Sequence, residues 1–148
     1  MRFDKLTTKF QQALADAQSM AVGQDNPYIE PQHLLLALLQ QDGGGGGSGT
    51  TSLLQHAGAN VAPLREALKK SLERLSKVEG TGGEISASRE LGNLLNLADK
   101  EAQKRGDQFI ASEMFLLVAL QDKGETGTLL KQHGANRAAL EQAISAVR

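Results

Sequence analysis

Apolar residues return at three- and four-residue steps along almost the whole chain. Phe10, Ala13, Leu14, Ala17 and Ala21 fall on one face of a helix, and Leu91, Leu94, Leu95, Ala98 and Ala102 make a second such stripe. Thr7 or Thr8 can supply the oxygen that caps the start of the first helix, and Gly23 can take the left-handed turn past its end. Gly106 stops the second. A short helix is expected from Pro31, because proline lacks an N–H that a first helical position would leave unpaired anyway. Its counterpart is expected after Ser112, a good N-cap. Two-turn segments around Leu53-Leu54 and Leu129-Leu130 each run to a glycine. The last helices carry Leu64, Leu68, Leu72 and Leu75 in one case, and Leu140, Ile144 and Val147 in the other. β-branched residues are sparse, so strands are not expected. The pattern predicts an all-α domain of about eight helices.

Those helices are four elements written twice. Ala15-Asp16 with Gly23 reappears as Ala98-Asp99 with Gly106, a shift of 83 residues. Ile29 and the run Leu34 to Leu39 return as Ile110 and Phe115 to Leu120, a shift of 81. Leu53-Leu54 with Gly58-Ala59-Asn60 returns as Leu129-Leu130 with Gly134-Ala135-Asn136, a shift of 76. Matches in order over this length indicate a tandem duplication. We place the first repeat at about 1–76, a connector at about 77–86 and the second repeat at about 87–148. Each copy is small for an independent fold, so the two are expected to share one core with pseudo-two-fold symmetry. Such a domain suits a recognition surface better than a catalytic pocket.

Two glycine-rich stretches interrupt the pattern. Glu79 to Glu84 reads as a flexible connector, and Gly43 to Gly49 as a low-complexity loop whose counterpart is the compact Lys123-Gly124-Glu125. Neither is a phosphate cradle, since no glycine is followed by lysine and then Ser/Thr.

Charge and composition narrow the chemistry further. A net charge of −1 without a dense Lys/Arg block argues against a nucleic-acid partner. The absence of cysteine removes disulfides and thiolate chemistry and fits a reducing compartment. No apolar run approaches the roughly 18 residues that would span a bilayer, so no membrane association is expected and a cytoplasmic location is. His33, His56 and His133 lack ligand spacing, and no Gly-x-Ser-x-Gly elbow occurs in a strand-to-helix context. Asp107 and Glu113 imitate a glycosidase pair in spacing, yet sugar-stacking aromatics are few. The chain is not expected to be an enzyme.

The order helix, glycine, isoleucine, Leu-rich helix, used twice, resembles the Clp N-terminal repeat of Clp/Hsp100 unfoldases. Leu6-Thr7-x-Lys9-Phe10 with Ala13 to Gln18, Val78 to Gly83, and Ala102 to Asp107 are similar to the ClpB branch in particular. The resemblance covers essentially the whole chain. It implies a single eight-helix domain that is joined in family members to two AAA+ ATPase modules, which this sequence does not contain. It further implies ATP and magnesium as cofactors of those modules only, none being expected for this domain. The expected partners are unfolded or aggregated polypeptides and, through the full-length protein, the DnaK system. The domain is expected to be a monomer and the full-length protein a homohexamer.

Carried over residue by residue, the resemblance implies substrate contact by Thr7, Asp107 and Glu113, and an apolar groove that includes Leu97 and Met114. Glu101 stands where an apolar groove residue is expected. Each polar position also has a plain structural role open to it. Thr7 can be an N-cap, Asp107 can satisfy a turn, and Glu113 can face the positive end of a helix. The alternative within the family is a ClpA- or ClpC-like adaptor-docking domain or reader of phosphoarginine. The latter uses matching glutamates at the start of the second helix of each copy; here those positions hold Gln32 and Glu113.

Overall fold

Thr7 starts the first long helix: its backbone is extended and its hydroxyl oxygen accepts the Phe10 N–H at 3.3 Å. Ser88 does the same for Leu91 N–H at 3.1 Å. These caps head α1 (Thr8–Gly23) and α5 (Arg89–Lys104). Each is followed by a short apolar helix, α2 (Pro31–Gln41) or α6 (Ser112–Gln121). Then come a two-turn helix, α3 (Thr50–His56) or α7 (Glu125–Gln132), and an amphipathic one, α4 (Val61–Glu73) or α8 (Arg137–Val147). The computed structural model describes residues 3–41, 49–78 and 85–147. The run Gly43 to Ser48 and the stretch Glu79 to Glu84, both expected to be loops, lie outside the described residues.

The two copies superimpose in a single register of 81 from the first cap through the second helix. The 83-residue match of Ala15-Asp16 and Gly23 with Ala98-Asp99 and Gly106 is therefore a coincidence of three residues. In the true register Thr7 faces Ser88, and α1 and α5 end alike. Asn26 N–H returns to Ala21 O, and Asp107 N–H returns to Ala102 O, both at 2.9 Å. The left-handed residue before each return is Asp25, with φ 58°, in copy one and Gly106, with φ 75°, in copy two. Gly23 is still helical and does not make the turn, because aspartate tolerates that conformation well enough to serve two residues later. Ser112 also corrects the expectation. It is the first helical residue, as Pro31 is, and the N-cap is Ala111, which offers no side-chain acceptor.

The middle of the fold is α2 and α6. Every residue from Leu34 to Leu39 and from Met114 to Leu120 is buried. Helices apolar on all sides belong in an interior, and the amphipathic α1, α4, α5 and α8 wrap around this pair. The copies interlock there: the ring of Phe10, from copy one, meets that of Phe115, from copy two, with centroids 6.3 Å apart.

Two backbone crossings complete the pseudo-symmetry. Leu6 pairs in parallel with Ile110, and Ile29 with Ala87. Thr7 N–H donates to Ile110 O at 3.0 Å, and Ser88 N–H to Ile29 O at 2.9 Å. Each copy's entry to its first helix is thus held by the other copy's entry to its second.

Candidate functional site

The paired crossings leave an apolar hollow of about 530 Å³ on the pseudo-two-fold axis, between α1 and the segment leading into α5. Two pairs of equivalent residues stand in its walls. Leu6 and Ala87 are one residue position in two copies, as are Leu14 and Leu95; Ile29 and Ile85 close the sides. Gln11 and Gln18 bring amide groups to the rim, and Gln11 Nε2 is anchored on Leu6 O at 2.9 Å. Leu14 and Leu95 read in sequence as core positions. Leu95 is buried, and Leu14 is only partly so because the hollow lies over it. None of these wall residues was singled out from the sequence as a contact; the signal lay in the 81-residue pairing of Leu14 with Leu95.

A second, polar hollow of about 350 Å³ gathers two of the five expected contact residues, Thr7 and Glu113. Thr8, Lys9, Ser112 and Val147 share its wall. Thr7 spends its oxygen as the cap acceptor, which leaves the hydroxyl proton to donate. Glu113 is the second residue of α6, where the helix dipole favours a carboxylate. Val147, expected among the core residues of α8, is 40% exposed at this rim.

The equivalent place in copy one is closed. Gln32 matches Glu113 and is buried, donating from Nε2 to Ser71 Oγ at 3.3 Å. Ser71 Oγ donates to Glu125 Oε2 at 3.2 Å, and Arg74 donates to the same oxygen at 3.0 Å. The repeat therefore builds one polar hollow and plugs its twin.

The remaining three expected residues are dispersed. Leu97 is 46% exposed on α5, in a separate hollow shared with Leu94 and Val118. Asp107 sits in the turn after α5, where its N–H satisfies Ala102 O. Met114, expected in an apolar groove, is instead fully buried. It is the third residue of α6 and occupies the place that His33 holds in α2, directed into the core under the helix start.

Glu101, the charged residue in an expected apolar place, is fully partnered. Arg105 donates to its Oε1 at 3.1 Å and Arg137 at 3.2 Å, with Lys104 at 3.8 Å from Oε2. Burial would raise this carboxyl, but Arg105, Arg137 and Lys104 together hold it below the ordinary carboxylate range. Arg105 and Arg137 also reach Glu141, so the network ties α5 to α8. No helix among the described residues is long and apolar enough to cross a membrane.

A duplicated four-helix domain with hollows between its copies, and no clustered metal-binding side chains among the described residues, belongs to the class of all-α repeat domains. The chain is a member of the Clp repeat N-terminal domain family, whose model matches residues 5–133. The chaperone protein ClpB of Vibrio cholerae is 48% identical over 148 residues, all of this chain and 17% of that protein. ClpB of Pseudomonas putida is 47% identical over the same span. The chain thus spans about a sixth of the length of these curated relatives. The Hsp104 N-terminal domain of Candida albicans has the same fold, with a TM-score of 0.81 at 20% identity, covering 97% of this chain and 91% of that one. So has a ClpV N-domain solved in complex with a VipB peptide, with a TM-score of 0.73 at 21% identity, covering 97% and 87%.

Proposed function

We propose that this domain is the polypeptide-capturing module of a ClpB-like disaggregase, and that unfolded chains enter the apolar hollow on the pseudo-two-fold axis. The observation that carries this reading is the matched pair Leu14 and Leu95 beneath an opening of about 530 Å³, with Leu6 and Ala87 beside them. An apolar hollow with few polar groups on its walls receives an extended apolar segment with little regard for sequence, as a chaperone needs. Glu113 and Thr7, in the polar hollow, would then select basic or hydrogen-bonding flanks, with Asp107 adding negative charge beyond the end of α5. Binding here would be weak, and tethering to an ATPase ring would raise the effective concentration of substrate at its pore. ATP hydrolysis, cooperation with DnaK and hexamer formation would belong to the ring and not to this domain. The burial of Gln32 weighs against a pair of phosphoarginine sites, because only one of the two positions carries an acidic side chain at an open hollow.

The test is titration with a permanently unfolded protein, followed by NMR and fluorescence anisotropy. Leu14→Asp is expected to weaken binding about tenfold, which corresponds to roughly 1.4 kcal/mol. Glu113→Gln and Asp107→Asn should each weaken it several-fold. Thr7→Ala should do so too, while Thr7→Ser, which keeps the cap, should not. Helical circular dichroism should be unchanged in all of them. Affinities within twofold of the parent for every folded variant would sink the proposal.

A further inference from the structure

The crossing at Ile29 leaves one residue of its partner segment with nothing to bond. Ile29 N–H donates to Ser86 O at 3.0 Å, and Ile29 O accepts the Ser88 N–H at 2.9 Å. Ala87 lies between those two residues. Successive residues of an extended segment turn their main-chain groups to opposite sides, so the N–H and C=O of Ala87 face away from Ile29. Neither has a hydrogen-bond partner among the described residues. Ile85, Ser86 and Ala87 line the apolar hollow, which puts this free donor and acceptor at its wall.

Copy one closes the same edge. Leu6 is the equivalent of Ala87, and its C=O accepts Gln11 Nε2 at 2.9 Å. The 3₁₀ helix Phe3–Lys5 leads into Leu6, whereas Ile85 and Ser86 belong to no helix. In the register of 81, the place of Gln11 is held in α5 by Gly92. A glycine inside a helix weakens it relative to alanine. Packing does not ask for one here, because a Cβ added at Gly92 would meet nothing within 4 Å. Nor does the backbone, since Gly92 is not among the residues with positive φ. Its effect is to leave the Ala87 C=O uncovered.

We propose that the apolar hollow recognises its occupant by the main chain. An extended polypeptide segment pairs with Ala87, one of its residues exchanging N–H and C=O with that residue, and its alternate side chains settle towards Leu14 and Leu95. This rests on the reading of the hollow as the capture site and adds what the site reads there. The partial charges of an N–H and a C=O on one edge are complemented by the peptide units of an extended chain. A helix spends the same groups internally, so a folded helical segment cannot offer them. An unfolded chain offers them at every residue except proline, which has no N–H. Main-chain pairing gives affinity that is indifferent to sequence, and the apolar floor sorts only the alternate side chains. The site thereby selects for the unfolded state itself.

The test uses the 148-residue chain and a polar peptide of about ten residues with two central leucines at alternate positions, which an extended backbone points to one side. Two N-methylated forms are compared, one methylated at both leucines and the other at the residues that flank them. Alternate amides face opposite sides, so one form is expected to bind about tenfold more weakly and the other within about twofold of the parent peptide. The Ala87 amide should shift downfield and exchange more slowly in the complex. Gly92→Gln, which supplies the amide that covers Leu6 O in copy one, should weaken binding about tenfold, and Gly92→Ala by less than about twofold. Equal behaviour of the two methylated forms, an Ala87 amide unmoved at saturation, or full affinity in folded Gly92→Gln would each overturn main-chain pairing. If Leu14→Asp still weakened binding in that case, capture by the apolar walls would stand without it. A peptide that binds nowhere in the hollow would overturn both.

Discussion

Replacing Gly134 by alanine is expected to destabilise the domain by about 3 kcal/mol and to lower its melting temperature by roughly 10 °C. Two costs combine. Gly134 has φ +98°, where an L side chain strains against its own backbone by about 1–2 kcal/mol. The added Cβ would also lie 2.5 Å from the carbonyl oxygen of Gly58. Gly58 is the same residue in the other copy, with φ +95°, and its own Cβ would lie 3.0 Å from Gly134 O. The two helix-ending turns meet back to back, and Asn60 N–H donates to His133 O at 2.8 Å across the contact. Backbone faces backbone, so no flexible side chain can move aside. Gly106→Ala is the control. Its φ of +75° carries the conformational cost, but the space beside it is open, so about 1 kcal/mol is expected. Urea denaturation of both variants separates the two terms. Similar losses would show that the copies do not depend on this contact.

That contact also shows how far the sequence reaches. Gly58-Ala59-Asn60 and Gly134-Ala135-Asn136 announce the duplication, and the helix periods announce eight helices. Nothing in either pattern says that the two glycines touch, because contact across a pseudo-axis depends on how the copies dock. The same limit governs the site. The polar hollow was legible only in its parts, since Thr7 or Thr8 was open as the cap of α1 and Glu113 stood at the start of α6. The symmetric hollow was not. Leu14 and Leu95 fit the helical stripe as well as any core residue, and only the crossing segments at Leu6 and Ala87 leave space above them. Met114 failed for the opposite reason. The resemblance alone pointed to a groove position for Met114, but one residue beyond Glu113 along a helix turns the side chain by about 100°, and here that turn leads inside.

The place of Met114 in copy two is held in copy one by His33, and this difference predicts a second large effect. His33 is fully buried, and its two ring nitrogens have fixed duties. Nδ1 accepts the Glu30 N–H at 2.9 Å, which closes the start of α2 in the manner of a capping box. Nε2 must then carry the proton and donate to Asn26 Oδ1 at 2.9 Å. Asn26, itself buried, passes the link on by donating to Ser76 O at 3.1 Å, beyond the end of α4. Protonation at Nδ1 would set two N–H groups face to face. Burial lowers the pKa of His33 from 6.5 to about 4. Above pH 6.5 neither the folded nor the unfolded chain protonates this ring, and the full stability is present. Between 6.5 and 4 the unfolded chain takes up a proton that the folded chain refuses, so stability falls as the pH falls. The loss levels off below about pH 4, where the folded protein protonates too, and totals at most about 3 kcal/mol. Glu101, held below the ordinary carboxylate range by its arginines, adds its own loss at lower pH. Chemical denaturation at several pH values should show the decline, and His33→Gln should flatten it between pH 6.5 and 4. A parent protein as stable at pH 4.5 as at pH 7 would show that the buried imidazole accepts its proton without breaking the link between α1, α2 and α4.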